Sequence, residues 1–272
     1  MIGWFARPAS ETQITHGRRL WLYAYGGLVM LFLIVPSLIV IPMSFSDSQY
    51  LSFPPREWSL RWYENYFGSS EWMQATWVSL KAGFLTMLVA TPLGTLAAYG
   101  LHVTRSRWVS ATMMILVTPI MMPVILVGIG IFYVYVQVKM LNTMPGLVIA
   151  HAMLAVPLVL LVVAAGLKSY DMNQELAARS LGASRPRAFL LVTLPQIRFS
   201  VITAALLAFL TSFDEVIVAL FISGGENSTL TRKMFLALRD QIDPTIAAIS
   251  TVMIVFTTAM LAISQLFGRS ED

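Results

Sequence analysis

Six stretches of the chain are long and apolar enough to read as membrane-crossing helices, near residues 20–43, 77–101, 110–138, 146–167, 199–222 and 245–267. A helix needs about 20 predominantly apolar residues to cross hydrocarbon, and each stretch reaches that length. The first follows Arg18 and Arg19, exceeds the apolar core of a signal peptide and runs into SFSDSQ, which has no small-residue cleavage pattern; it reads as a retained anchor. Two connections are longer than turns. Residues 46–72 (SDSQYLSFPPREWSLRWYENYFGSSEW) carry Pro54-Pro55 as a breaker and then Trp and Tyr, which favour the membrane interface; a cap on the outer face is expected. Residues 223–244 open with Gly224-Gly225 and close with Asp243-Pro244. Between them the pattern predicts a short re-entrant or surface helix with Met234, Phe235 and Leu238 on one face.

Composition agrees with a polytopic, all-α membrane protein: 57% of the 272 residues are hydrophobic, only 12% are charged, and mean hydropathy is +0.72. Soluble domains carry roughly 25% charge. With a cytoplasmic N-terminus, the inside segments hold Arg7, Arg18, Arg19, Arg105, Arg107, Lys168, Arg179, Arg185, Arg187, Arg198 and Arg269, eleven of the 18 Lys and Arg residues. The bias is sharpest in the short loop HVTRSRW and places both termini inside. The domain plan is then a cytoplasmic segment 1–19, a six-span domain 20–267 with an inside loop 168–198, and a cytoplasmic tail 268–272. The chain has no cysteine, hence no disulfide framework and no thiolate metal site. GLKS at 166–169 lacks the upstream glycine of a phosphate-binding loop. His16, His102 and His151 are too dispersed to suggest a metal cluster, and no Ser-His-Asp pattern stands out. Catalysis by this chain alone is not expected.

The inside loop QELAARSLGASRPRAFLLVTLPQIR, residues 174–198, interrupts the apolar chain with Glu175 and four arginines. Each Arg at a bilayer centre costs about 2.5–3.5 kcal/mol on insertion scales, so this stretch lies outside hydrocarbon. Its pattern predicts two short helices: one from Asn173 as cap, and one from Ser184 and Pro186, joined by a turn at Gly182 and ended by Pro195. A basic helix lying on lipid headgroups is one reading. Within the spans, Pro92, Pro119, Pro123 and Pro157 permit bends, while Gly94 with Ala98, and Gly128 with Gly130, offer small faces for close packing. Asp214 and Glu215 fall in the fifth stretch, where carboxylates are expensive unless paired, hydrated or facing a pathway. Either they are satisfied by Thr211, Ser212 or a neighbouring subunit, or they meet a cationic solute. Tyr133 and Tyr135 could present ring faces to such a cation or simply pack at helix interfaces.

Ala177-Ala178, Gly182 and, in register beyond it, Val192-Thr193-Leu194-Pro195 resemble the EAA loop of permease subunits in binding-protein-dependent ABC importers. The family's usual Glu position holds Leu176, and the acid stands one residue earlier at Glu175. SLRWYENYF (59–67), SFDEVIVALFISG (212–224) and IDPTIAAISTVMI (242–254) look like the second permease of spermidine/putrescine importers. The resemblance implies that the loop docks into a groove of a cytoplasmic ATPase through exposed charges and moves rigidly with spans four and five. It assigns this coupling to Glu175, Ala177, Ala178, Gly182, Ala183, Ser184, Arg185, Arg187, Phe189, Leu194 and Pro195. It further implies a second, non-identical permease, two ATPase subunits and an extracytoplasmic binding protein in the bacterial inner membrane. ATP and Mg belong to the ATPases, and this chain binds no cofactor. Asp214, Glu215, Tyr133 and Tyr135 are the pathway residues expected for a polyamine. An opine or amino-acid derivative is the alternative cargo, and a membrane scaffold with a lipid- or protein-binding basic loop is the alternative class.

Overall fold

The computed structural model describes residues 15–240 and 242–268, with side chains through Ala262. Arg7, Arg269 and most of the two terminal segments lie outside the described residues. Among the described residues there is no strand; an isolated antiparallel bridge joins Ser46 and Trp58. The chain divides into two compact units, residues 1–65 with 243–254 and residues 66–242 with 255–272.

In the first unit, α1 (Leu20–Met43) coincides with the first apolar stretch and buries none of its residues within the chain. After it the chain folds back, with Ser59 N donating to Phe45 O at 2.7 Å and Asp47 N to Glu57 O at 3.2 Å. Tyr63 of α2 (Arg61–Gly68) shares a hydrogen bond with Ser44 at 2.7 Å and stacks at a tilt on Phe45. Asn65 donates to Thr245, at the start of α12 (Thr245–Gly268), at 2.7 Å.

The second unit is built around α3 (Ser70–Val103), α6 (Met144–Ser169) and α9 (Arg198–Phe213). Ser69 caps α3 by accepting from Trp72 N, and Thr143 caps α6 by accepting from Gly146 N, with Pro145 in its first turn. Their shared core is rich in small residues: Ala90, Ala98, Ala152, Ala155, Ala204 and Ala208 are buried. In lipid no hydrophobic force drives helices together, so small residues that admit dense backbone contact do so instead. Gly94 is the tightest such point: a Cβ there would meet Val159 Cγ1 at 2.5 Å. Gly128 is likewise closed by Phe221, whereas Gly130 faces open space and does not serve the packing role expected of it.

Four described helices are individually long and apolar enough to cross a membrane, and up to six spans result if each bent pair counts as one. The third stretch is α4 (Val109–Met121) and α5 (Val124–Val138), bent by 95° at Met122-Pro123. Pro92 and Pro157 sit inside continuous helices. Only Pro123 coincides with a sharp bend, because its neighbour Met122 takes an extended conformation (ψ 140°), the one favoured before proline. The fifth stretch departs furthest from expectation. It is not one helix: α9 ends at Phe213, and a short α10 (Ile217–Ile222) resumes after a break at Asp214, Glu215 and Val216. The short helix predicted in 223–244 is present as α11 (Leu230–Asp240), tied to α3 by Leu230 N donating to Ser79 Oγ at 2.8 Å and by Lys233 on Glu71 at 2.7 Å.

Candidate functional site

The 168–198 loop folds as two helices, α7 (Asn173–Ser180) and α8 (Arg185–Gln196). Gly182 between them has φ +95°, a conformation glycine alone adopts without steric cost. The caps differ from expectation. Asn173 is the first residue of α7, and Asp171 supplies the acceptor, taking the Asn173 N–H at 3.0 Å; Ser184 stands at the start of α8 without a side-chain cap bond. Residues 189–193 widen into a π-turn in which Leu194 N bonds Phe189 O. The wider turn eases the clash that the Pro195 ring makes with the preceding turn. The helix breaks at Ile197, two residues after Pro195, and α8 meets α9 at 81°. A helix set crosswise to a span in this way lies along the face of the bundle.

Glu175 is the main correction. Expected among the exposed charges, it is 1% exposed. Tyr99 of α3 donates to its Oε1 at 2.7 Å, and Thr193 of α8 donates to its Oε2 at 2.6 Å. Bonds to a carboxylate are about twice as strong as neutral ones. One buried carboxylate thus joins α7, α8 and a helix that begins some hundred positions earlier in the sequence. Phe189 adds a ring contact, its centroid 4.4 Å from that of Tyr99. Phe189 and Leu194 belong to the core or pack against it, so they brace the loop from within.

The outer side of the loop carries the remaining residues. Arg179, Arg185, Arg187, Ser184, Ala177, Gly182 and Pro195 are exposed, while Ala178 and Ala183 are half-buried. Four leucines are exposed with them, of which Leu181 was given no role from sequence: Leu176 (49%), Leu181 (90%), Leu190 (56%) and Leu191 (66%). Exposed apolar side chains are thus rimmed by arginines on this side of the loop. Leu181, next to the glycine turn, could have been noticed as a leucine with no helical face to share. Tyr99 and Thr193 could not have been found locally, because their role depends on Glu175.

The acidic pair lies at the break in the fifth stretch. Glu215 Oε1 accepts from Val218 N at 2.9 Å, capping α10, and the Glu215 carbonyl accepts from Thr231 Oγ1 at 3.0 Å. Neither expected partner serves: Thr211 bonds Leu207 O, and Ser212 bonds His151 Nδ1 at 2.7 Å. Asp214 closes α9 through its backbone N–H while its side chain is exposed. Nearby on α11, burial draws the Arg232 guanidinium below its ordinary pKa, and its Nε has no partner among the described residues. Tyr133 and Tyr135 do not act as a pair, since two positions along a helix lie about 200° apart. Tyr135 is buried and donates to Gly146 O at 2.9 Å, as the helix-packing reading of this residue has it; Tyr133 is 66% exposed on the other side.

A helical membrane bundle with a crosswise helix pair braced on its core is the architecture of a transport permease. Residues 90–271 match the family of binding-protein-dependent transport system inner membrane components, and the chain belongs to that family. It is 29% identical over 250 residues to the spermidine/putrescine transport system permease protein PotC of Haemophilus influenzae, covering 92% of this chain and 96% of that one. It is also 29% identical over 230 residues to the putrescine transport system permease protein PotI of Escherichia coli K12, covering 82% of each. Its fold is similar to that of a bacterial ABC transporter involved in import of the acidic polysaccharide alginate, with TM-score 0.74 and 13% identity over 94% of this chain and 97% of that one.

Proposed function

We propose that this chain is one permease half of an ABC importer for a polyamine of the spermidine or putrescine class, seated in the bacterial cytoplasmic membrane with both termini inside. Its partners are a second permease, two ATPase subunits that hold ATP and Mg, and an extracytoplasmic binding protein. The observation that carries the reading is the braced loop: a buried Glu175 clamps α7 and α8 to the core while Leu181, Leu190, Leu191 and three arginines face outward. That is what a lever needs, a rigid root and an adhesive tip. Polyamine cargo is supported by the names of the relatives that match most of the chain and by the exposed Asp214 carboxylate at a helix break.

The test is uptake of radiolabelled putrescine by cells carrying Asp214→Asn or Glu215→Gln at matched membrane abundance. Glu215→Gln keeps an oxygen for the Val218 N–H, so the cap survives and uptake changes little. Asp214→Asn removes an exposed charge and lowers uptake about five- to 150-fold, the effect of losing roughly 1–3 kcal/mol of partly screened ion pairing. Normal uptake by Asp214→Asn would remove the acidic contact from the proposal.

A further inference from the structure

A second site opens at the end of the bundle that carries the loop. The C-terminal end of α3, the following connection, the first turns of α4 and the last turn of α6 line an open cleft of about 650 Å³, within the roughly 300–1,000 Å³ usual for ligand pockets. Its lining sorts by depth. His102, Arg107 and Lys168 stand at the helix ends, and Ser110, Met113 and Met114 continue along α4 toward the apolar part of the bundle. No acidic residue lines it, and Arg107 and Lys168 make no ion pair with a described carboxylate. Trp108, 64% exposed beside Arg107 with the guanidinium carbon 5.6 Å from its ring, sets the level of the membrane interface.

We infer that this cavity binds an anionic glycerophospholipid, with the phosphodiester between Arg107 and Lys168 and the upper acyl chain along Met113 and Met114. Charge and polarity decide the class. A free phosphate would use the cations but leave the methionine wall idle, and a neutral lipid would use the wall but leave two cations without a counter-charge. Basic pockets between membrane helices suit anionic headgroups for this reason. The loop HVTRSRW thereby acquires a role beyond setting orientation: a bound lipid would bridge α3, α4 and α6 near the base of the coupling loop.

The experiment uses the full-length chain in neutral detergent supplemented with dioleoylphosphatidylglycerol or dioleoylphosphatidylcholine, with bound lipid counted by native mass spectrometry. The phosphatidylglycerol is expected to be retained selectively. Arg107→Gln with Lys168→Gln should weaken its binding about 25-fold, each cation near a lipid surface contributing about five-fold, whereas Arg107→Lys should keep most of it. Met114→Trp, which leaves the charges in place and fills the wall, should also expel the lipid, so the inference stays testable if the double variant folds poorly. Equal retention of the two lipids, unchanged phosphatidylglycerol binding in the double variant, or efficient displacement by inorganic phosphate would each overturn it.

Discussion

Tyr99→Phe removes one hydroxyl from the root of the 168–198 loop and leaves the ring against Phe189 in place. The Glu175 carboxylate, 1% exposed, loses its 2.7 Å donor and retains only Thr193 at 2.6 Å. A hydrogen bond to a charged group contributes about 1.5–3 kcal/mol, and a buried acceptor stripped of its donor bears the desolvation cost. At 1.4 kcal/mol per factor of ten, the equilibrium between docked and undocked α7 should shift by about ten- to 150-fold. Hydrogen exchange followed by mass spectrometry reads this directly as faster exchange in peptides covering 173–180, with the interior of α6 unchanged. Under the proposed function, coupling should suffer in parallel: ATPase activity of the assembled importer should persist while putrescine uptake per ATP falls. Thr193→Val should reproduce the exchange effect from the other side. Unaltered protection of 173–180 in both variants would refute the clamp and return Glu175 to the status of an incidental buried acid.

Two further outcomes follow from backbone geometry and packing. Gly182→Val should cost about 1–3 kcal/mol at φ +95° and reduce co-purification of the ATPase while membrane insertion survives; since a Cβ there meets nothing within 4 Å, Gly182→Asn should be milder, and equal effects of the two would show that bulk rather than backbone decides. Gly94→Ala sets a methyl 2.5 Å from Val159 Cγ1 and should lower thermal stability by about 1–3 kcal/mol as an overpacked contact, with Val159→Ala restoring part of the loss.

Much of the helical plan was legible because hydropathy integrates length. α1 occupies the first apolar stretch, and the predicted surface helix after Gly224-Gly225 is α11. The glycine turn at Gly182 could be read because a positive φ is a property of one residue and its neighbours. The break at Asp214 could not be seen in the same way. An apolar window averages across it, whereas the helix ends because Phe213 is followed by residues whose side chains and carbonyls bond elsewhere, Glu215 to Val218 N and to Thr231. Tyr133 and Tyr135 looked alike in sequence and differ only in which side of α5 meets Gly146.

The loop marks the boundary between what the two levels decide. Its charge argues for a place outside hydrocarbon, and its spacing of Ala177-Ala178, Gly182 and Leu194-Pro195 resembles the family to which the chain belongs. Hydropathy would then turn Glu175 outward and Leu176 inward. The tertiary structure reverses them: Glu175 is buried and Leu176 half exposed. The reason is that the cost of burying a carboxylate depends on donors that local sequence does not contain, and here one of them, Tyr99, stands 76 residues earlier in the chain.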